Sequence, residues 1–548
     1  MKRELSTAFG IVAMLGGITC IDKARAAAVF TYVSGPQGCT QPPGYPDAAL
    51  CIIPNETPLA SFPIPAVGNT YVDPNLGSTV RILSGFGSNH GYSTPTAFSA
   101  NGKYVALIQN NNQVNVVETA MGRVAYTNRP GTVTYDTVRW DASNDDVYYV
   151  ISGTQVKKHQ LSTNTTTVVR DYATDGHAFT HIFGGGTGDI SKDNWLSVFA
   201  DVEHRVCALN LNNAATYCAD YLAPAVVAKV GFSFIDFPNM AKGVDSHTGK
   251  RYVLLMANPS LAVFSVNETT GKLDFEFRGP ELPQPDFQVS GTGKNNNNDV
   301  CELNESCLGA YHSDTFEDSD GQQYLSFVGD LNLPCQREVM TAQLNKGALM
   351  LHSVARGGGR TDVMAMDLCG GGPIELWLEN HTGCARKSAY CVTSTNYTNT
   401  RDPADLTTPI NRTTHRSELI VVRGNGVEIR RVAQTRGIQF SNDDYWSLAK
   451  ASISSDGGAV VWDTNFGYPN RGEVVAMAFT GYGSAPAISC DLNRDGVTNV
   501  ADAQVALNQV LGRAPCTTAD LTQSGTCGVI DVQRVVNASL SGICKIGQ

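Results

Sequence analysis

Charge is scarce in this 548-residue chain, where Asp, Glu, Lys and Arg together make up 17%. The charge present leans acidic, at −11 net. That excludes nucleic acid as a default partner, because a phosphate-binding surface is basic. Beyond the N-terminus no apolar run is long enough to span a bilayer, so no transmembrane anchor is expected. There is no G-x-S-x-G elbow and no H-E-x-x-H helix, and "GGGTGD" at 184–189 lacks the Lys and the strand–helix setting of a phosphate loop. Cys and His nowhere gather at zinc-ligand spacing.

The N-terminus is built for export. Lys2 and Arg3 precede the apolar stretch "LSTAFGIVAMLGGITCI", and Ala24 and Ala26 supply small residues at −3 and −1 of a cleavage site. Residues 1–26 are therefore read as a signal peptide, and the mature protein is expected outside the cell. The competing lipid attachment at Cys20 has a poor lipobox in "GITC". Of fifteen cysteines, only Cys20 falls in this leader, and the fourteen others are an even number. The close pairs Cys39/Cys51, Cys207/Cys218, Cys301/Cys307 and Cys384/Cys391 read as local disulfides of an exported protein, which leaves Cys335 and Cys369 to pair. Sequence alone does not fix this connectivity.

Gly is abundant, at 53 residues, and polar turns punctuate the chain. Residues 27–78 form a Pro- and Gly-rich segment expected to be irregular. Over 79–483 one pattern recurs: a short β run, a turn with Asp, Asn or Gly, then a second β run. "TPTAFSANGKYVALIQNNNQVNVVETAMGRV" from Thr94 is the clearest copy, and "LAKASISSDGGAVVWDTNFGYPNRGEVVAMAFTG" is the last of seven units. Repeats of about 45 residues with some four short strands indicate propeller blades, since one blade cannot bury both faces alone. The expected fold is all-β, a seven-bladed β-propeller. The S-x-D/N-G turn of the first and last units resembles the blade turn of TolB-like bacterial propellers. After a short linker at 484–489, residues 490–548 turn to helix formers.

That terminal part begins "CDLNRDGVTNVADAQVALNQVLG" at Cys490. Asp491, Asn493, Asp495, Val497, Asn499 and Asp502 occupy loop positions 1, 3, 5, 7, 9 and 12 of an EF-hand-like calcium loop, with Gly496 at the sharp turn. A second copy keeps Asp520, Gly525 and Asp531 but holds Thr522 and Ser524 at positions 3 and 5, so it is a weaker site. The duplicated loop–helix resembles the type I dockerin domain over about 60 residues. The resemblance implies Ca2+ as cofactor and a cohesin-like protein as partner. Positions 10 and 11 hold Val500–Ala501 and Val529–Ile530 where cellulosomal dockerins often carry Ser-Thr. Cys490, Cys516, Cys527 and Cys544 are expected to form two disulfides that stiffen the module.

Propeller sites form where the innermost strands begin, around the central channel. Counting back from each blade turn gives His90 or Ser93, Arg139, His181 with Thr187, Lys242, His312 with Asp314, Glu379 with His381, and Lys450. A ring of His, Lys, Arg and carboxylate suits an acidic sugar or a metal. It resembles the sites of polysaccharide lyases on seven-bladed propellers, the oligogalacturonate lyases. Those imply a divalent cation in the channel and a Lys, His or Tyr base. His312, His381 and Lys242 are then the catalytic candidates, and Arg139, His181, Asp314, Glu379 and Lys450 the binding ones. They are read from strand starts, since no motif of that family aligns here. His159, His204, His247 and His352 are read as surface, and Trp140, Trp377, Trp446 and Trp462 as blade-to-blade core. The expected function is extracellular polysaccharide binding or breakdown, by a lyase or glycoside hydrolase if catalytic. The alternative is a non-catalytic propeller that binds a glycan or scaffolds proteins.

Overall fold

The structure, a computed structural model, describes residues 29–32, 62–109, 113–128, 130, 138–174, 176–182, 188–230, 234–258, 261–279, 313–330, 337–344, 351–353, 381–394, 418–423, 428–438, 447–468 and 471–480. In the C-terminal part it describes 490, 492, 498–513, 516, 519, 521–522, 526–541 and 544. The signal peptide, the linker and Cys39, Cys51, Cys301, Cys307, Cys335 and Cys369 lie outside the described residues.

The body is mostly β and propeller-like, built of up-and-down antiparallel meanders. In chain order these are Tyr104–Gln109, Gln113–Glu118 and Arg123–Asn128, then the four strands between Val138 and Asp171. A seven-stranded sheet follows, and it divides at one parallel bridge, Cys218 to Lys272, into meanders at 195–220 and 234–279. The next runs from Asp314 to Ser353, and another from His381 to Gln434. The last joins Ser452–Ile453, Ala459–Thr464 and Val474–Phe479 to strands Thr70–Val72 and Thr79–Ile82 from the start of the chain. The strand Val29–Tyr32 adds in parallel to Glu428–Gln434. The 27–78 segment is thus not wholly irregular, because two of its β-prone runs complete sheets made far downstream.

Sequence and burial agree along each meander. Tyr104–Gln109 and Trp195–Ala200 are apolar on both faces and buried almost throughout, as strands sandwiched between neighbouring sheets must be. Thr165–Asp171 opens on three threonines and is largely exposed, as an outer strand should be. The core lies between successive meanders. Trp140 and Trp462, both fully buried, tie neighbours together by giving their indole N–H to Ala97 O (2.8 Å) and Thr435 O (3.0 Å).

The recurring turn has a shared mechanism. Ser99 Oγ accepts the Tyr104 N–H (3.0 Å) and Ser454 Oγ the Ala459 N–H (2.9 Å). Gly102 and Gly457 sit at φ +73° and +82°, which a side chain would strain. These turns also link one meander to the next. Asn101 bonds Asp145, Asn194 bonds the Ala142 N–H, and Lys192 N–H reaches Lys242 O. Ser246 N–H meets Gly321 O, Asp314 takes the Cys384 N–H, and Lys387 N–H meets Ser455 O. Thr96 Oγ1 then bonds Ile453 O, returning to the first meander.

Two disulfides staple directly opposed residues of adjacent strands, Cys207–Cys218 and Cys384–Cys391. The C-terminal module is two helices, Val500–Val510 and Val529–Ser541, around Leu492, Ala506, Leu521, Val535 and Ala538. Cys490–Cys544 and Cys516–Cys527 cross-link it.

Candidate functional site

Five charged side chains converge with no solvent exposure: Arg139, Asp189, Lys242, Asp314 and Arg386. Lys242 Nζ lies 3.3 Å from Asp189 Oδ2 and 3.1 Å from Asp314. Arg386 forks onto Asp189, Nε to Oδ2 at 2.9 Å and Nη2 to Oδ1 at 2.6 Å, and gives Nη1 to Trp140 O at 2.8 Å. Arg139 gives Nε to Gly188 O and Nη1 to Val138 O (3.1 Å). Asp314 also accepts from Cys384 N (2.7 Å) and Asn239 Nδ2 (3.2 Å). Arg386 and Asp189 stand 197 residues apart and belong to meanders that do not adjoin in sequence. The network therefore joins meanders that are far apart in sequence.

Burial alone would raise the Asp189 carboxyl, but Arg386 and then Lys242 outweigh it and hold it down at about 2. Asp314 differs: burial pushes it up to about 6 against the pull of Lys242, and the Asp189 charge adds to the rise. The signs predict opposite slopes. As pH rises from about 2 to about 4, the unfolded chain binds more protons at Asp189 than the native one, so stability rises. From about 4 to about 6 the native chain binds more at Asp314, so stability falls. Asp314→Asn is expected to make the second slope shallower by Asp314's share and to leave the first in place. Thermal unfolding midpoints measured every half pH unit for both proteins check this, and an unchanged fall above pH 4 would contradict it.

A second group lies between the first and last meanders. His90 Nδ1 is 2.8 Å from Asp463 Oδ1, whose oxygen also accepts the His90 backbone N–H (3.0 Å). His90 Nε2 meets Lys450 O at 2.8 Å, and Lys450 Nζ donates to Leu448 O at 3.2 Å. His381 Nε2 is 3.2 Å from Tyr92 Oη, with the rings edge to face. Burial, and next Asp463, raise the Glu473 carboxyl.

Among the predicted ring residues the structure joins Lys242 to Asp314 and His90 to Lys450, and sets Arg139 beside Asp189. Ser93 is buried and His181 exposed. His312, Glu379 and Thr187 lie outside the described residues. Among the described residues no group of three or more His, Cys, Asp or Glu is arranged to hold a metal ion. His159, expected at the surface, is buried against Tyr148 and bonded to Thr166, because its strand turns that face inward. Asp189, Arg386 and Asp463 escaped the sequence reading.

In the C-terminal module Asp491, Asn493, Asp495, Val497 and Asp520 lie outside the described residues. Asn499 caps the first helix, accepting from Ala501 N (2.7 Å), while its own N–H goes to Asp502 Oδ2 (2.8 Å). Asp531 repeats this role, taking Gly528 N–H (2.7 Å) and Thr522 N–H (2.8 Å). Both aspartates are buried at the helix starts. Val500, Leu507 and Leu511 on the first helix, and Val529, Val536 and Leu540 on the second, are exposed at equivalent positions of the two copies.

These features define a propeller-like β protein with an ion-paired centre and a cross-linked pair of helices. No protein-family model matches the chain, and no curated protein matches it in sequence. Solved structures do. An oligogalacturonate lyase in complex with manganese aligns at TM-score 0.44 and 11% identity, over 77% of this chain and 98% of its own. The oligogalacturonate lyase of Vibrio parahaemolyticus aligns at 0.43 and 10%, over 75% and 96%. The WD40 repeats of RRP9 align at 0.40 and 9%, over 75% and 100%.

Proposed function

We propose that this chain is an exported, tethered seven-bladed propeller that binds an acidic polysaccharide without cleaving it. The observation that carries the reading is the buried network. Lys242, the candidate base, is committed to two carboxylates out of contact with solvent, while Arg386 is paired with Asp189 and Arg139 is buried with its Nε given to Gly188 O. A proton-abstracting group must be able to reach substrate, and a cation that is to receive a uronate must not already be neutralised. The turn-to-turn bonds that pass along the meanders and return from Ile453 to Thr96 support a closed ring of seven.

The tether is the module at 490–548. Asp491, Asn493, Asp495, the Val497 carbonyl, Asn499 and Asp502 would hold a Ca2+ ion, with Asp520 and Asp531 in a weaker second site. The buried Asp502 and Asp531, each at a helix start and facing back to its loop, fit that chemistry. Calcium would order the loops. The matched apolar residues of the two helices then offer a cohesin-like partner a surface. The disulfides suit an exported chain.

The test is an assay of the secreted protein on polygalacturonate and alginate, following unsaturated product with and without chelator. Retention on the same glycans is measured in parallel. No product and persistent retention are expected in both conditions, and formation of unsaturated ends would overturn the reading. Asp495→Asn is expected to weaken calcium binding, measured by titration calorimetry, at least about tenfold and to leave glycan retention unchanged.

A further inference from the structure

Away from the buried network, residues 84–88, 465–468 and 471–473 build an exposed cluster of different character. Phe86 is 38% exposed and meets the half-buried Tyr468 edge to face, with ring centroids 6.3 Å apart. The exposed Arg471 lays its guanidinium over both rings, 5.7 Å from the Phe86 centroid and 5.2 Å from that of Tyr468. The loops are fixed to each other, since Gly87 N–H donates to Glu473 O at 2.9 Å. Gly87 and Gly472 hold φ of +87° and +74°, conformations that other residues rarely take. A Cβ at Gly85 or Gly87 would meet nothing within 4 Å, so open space borders Phe86.

Among the described residues, two other exposed arginines face carboxylates: Arg123 pairs with Glu118 and Arg205 faces Asp220. Among the described residues Arg471 has no carboxylate partner, and its contacts are the two rings. A guanidinium stacked on aromatics keeps its N–H edge free for a planar anion, and the stacking restricts its rotamers before any ligand arrives. Beside it, an exposed ring offers an apolar face of the size of a sugar.

We infer that Phe86, Tyr468 and Arg471 form a subsite for a hexuronate residue, with the sugar against Phe86 and its carboxylate on Arg471. This rests on the reading of the body as a binder of acidic polysaccharide, and it places the recognition on a surface that the buried ring does not include. The geometry explains how a protein with Arg139, Lys242 and Arg386 buried out of reach could still select an anionic glycan.

The experiment uses the full chain and titrates polygalacturonate and dextran by calorimetry against the natural protein, Arg471→Ala, Arg471→Lys and Phe86→Ala. Thermal unfolding of each variant confirms its fold. Arg471→Ala is expected to weaken polygalacturonate binding at least about tenfold, and Phe86→Ala similarly. Arg471→Lys should recover only part of the loss, because an ammonium lacks the planar fork. If the natural protein binds polygalacturonate and both alanine variants bind it equally well, the subsite is overturned and the wider reading stands. If it binds no polygalacturonate, both fail. Equal binding of dextran would overturn the carboxylate's part.

Discussion

Arg386→Ala is expected to destabilise the β body by about 3–5 kcal/mol, which is the scale for breaking a buried ion pair from one side. The side chain makes two bonds to Asp189 and one to Trp140 O, and both Arg386 and Asp189 are fully shielded from water. Truncation leaves Asp189 with Lys242 at 3.3 Å and strips the Trp140 carbonyl of that donor. Lys242 cannot compensate by moving, since it also serves Asp314. Much of the loss reflects the buried oxygens of Asp189 and Trp140 left short of donors and not the intrinsic worth of the pair. The double variant Arg386→Met with Asp189→Asn should therefore recover a large part of it. Urea unfolding followed by tryptophan fluorescence measures both. A loss under about 1 kcal/mol for Arg386→Ala would place the pair on the scale of a surface salt bridge and contradict the buried geometry.

Removing Cys490–Cys544 as the Ser/Ser variant is expected to unfold the C-terminal module while leaving the body's transition in place. The bridge closes a separation of 54 residues, for which chain entropy gives about 4 kcal/mol. The Cys516–Cys527 bridge closes 11, worth about 3 kcal/mol by the same relation. Two short helices around a few buried side chains have little else to draw on. The longer bridge should thus matter more. Circular dichroism melts in chelator check this, with loss of the helical transition expected, and calcium should restore part of it. A module that melts like the natural one without this bridge would show that its core suffices.

The β body was legible because its turns are local. Ser99 and Gly102, or Ser454 and Gly457, state their geometry within five residues, and the flanking runs alternate or saturate with apolar residues as their depth requires. Of the ring candidates, Arg139, Lys242, Asp314 and Lys450 are buried, and Asp314 opens its strand whereas Lys242 lies near the end of Phe234–Val244. Their chemistry was not legible. Whether Lys242 is a base or one member of an ion-paired network depends on Asp189 and Asp314, 53 and 72 residues away. Such partners are chosen by topology and leave no mark in the local sequence. The Cys207–Cys218 and Cys384–Cys391 pairs were readable because each closes a single hairpin. Cys490–Cys544 spans a whole module and was not assigned.

The strand Thr79–Ile82 pairs with Val474–Phe479, and Ser84 Oγ receives the Val475 N–H across 391 residues. The ribosome therefore makes one half of this sheet long before the other. During synthesis, the early strand must wait with its edge unpaired while every intervening meander is delivered. Completion of this sheet is a late event whose rate is set by a contact of very long range. A chain that stops short of Val474 would keep an open edge at each end, the form most prone to pair with a neighbour. The same arrangement brings the two ends of the body into one sheet, so moving the termini to an exposed turn such as Gly102 would keep every strand pair while changing which one forms last.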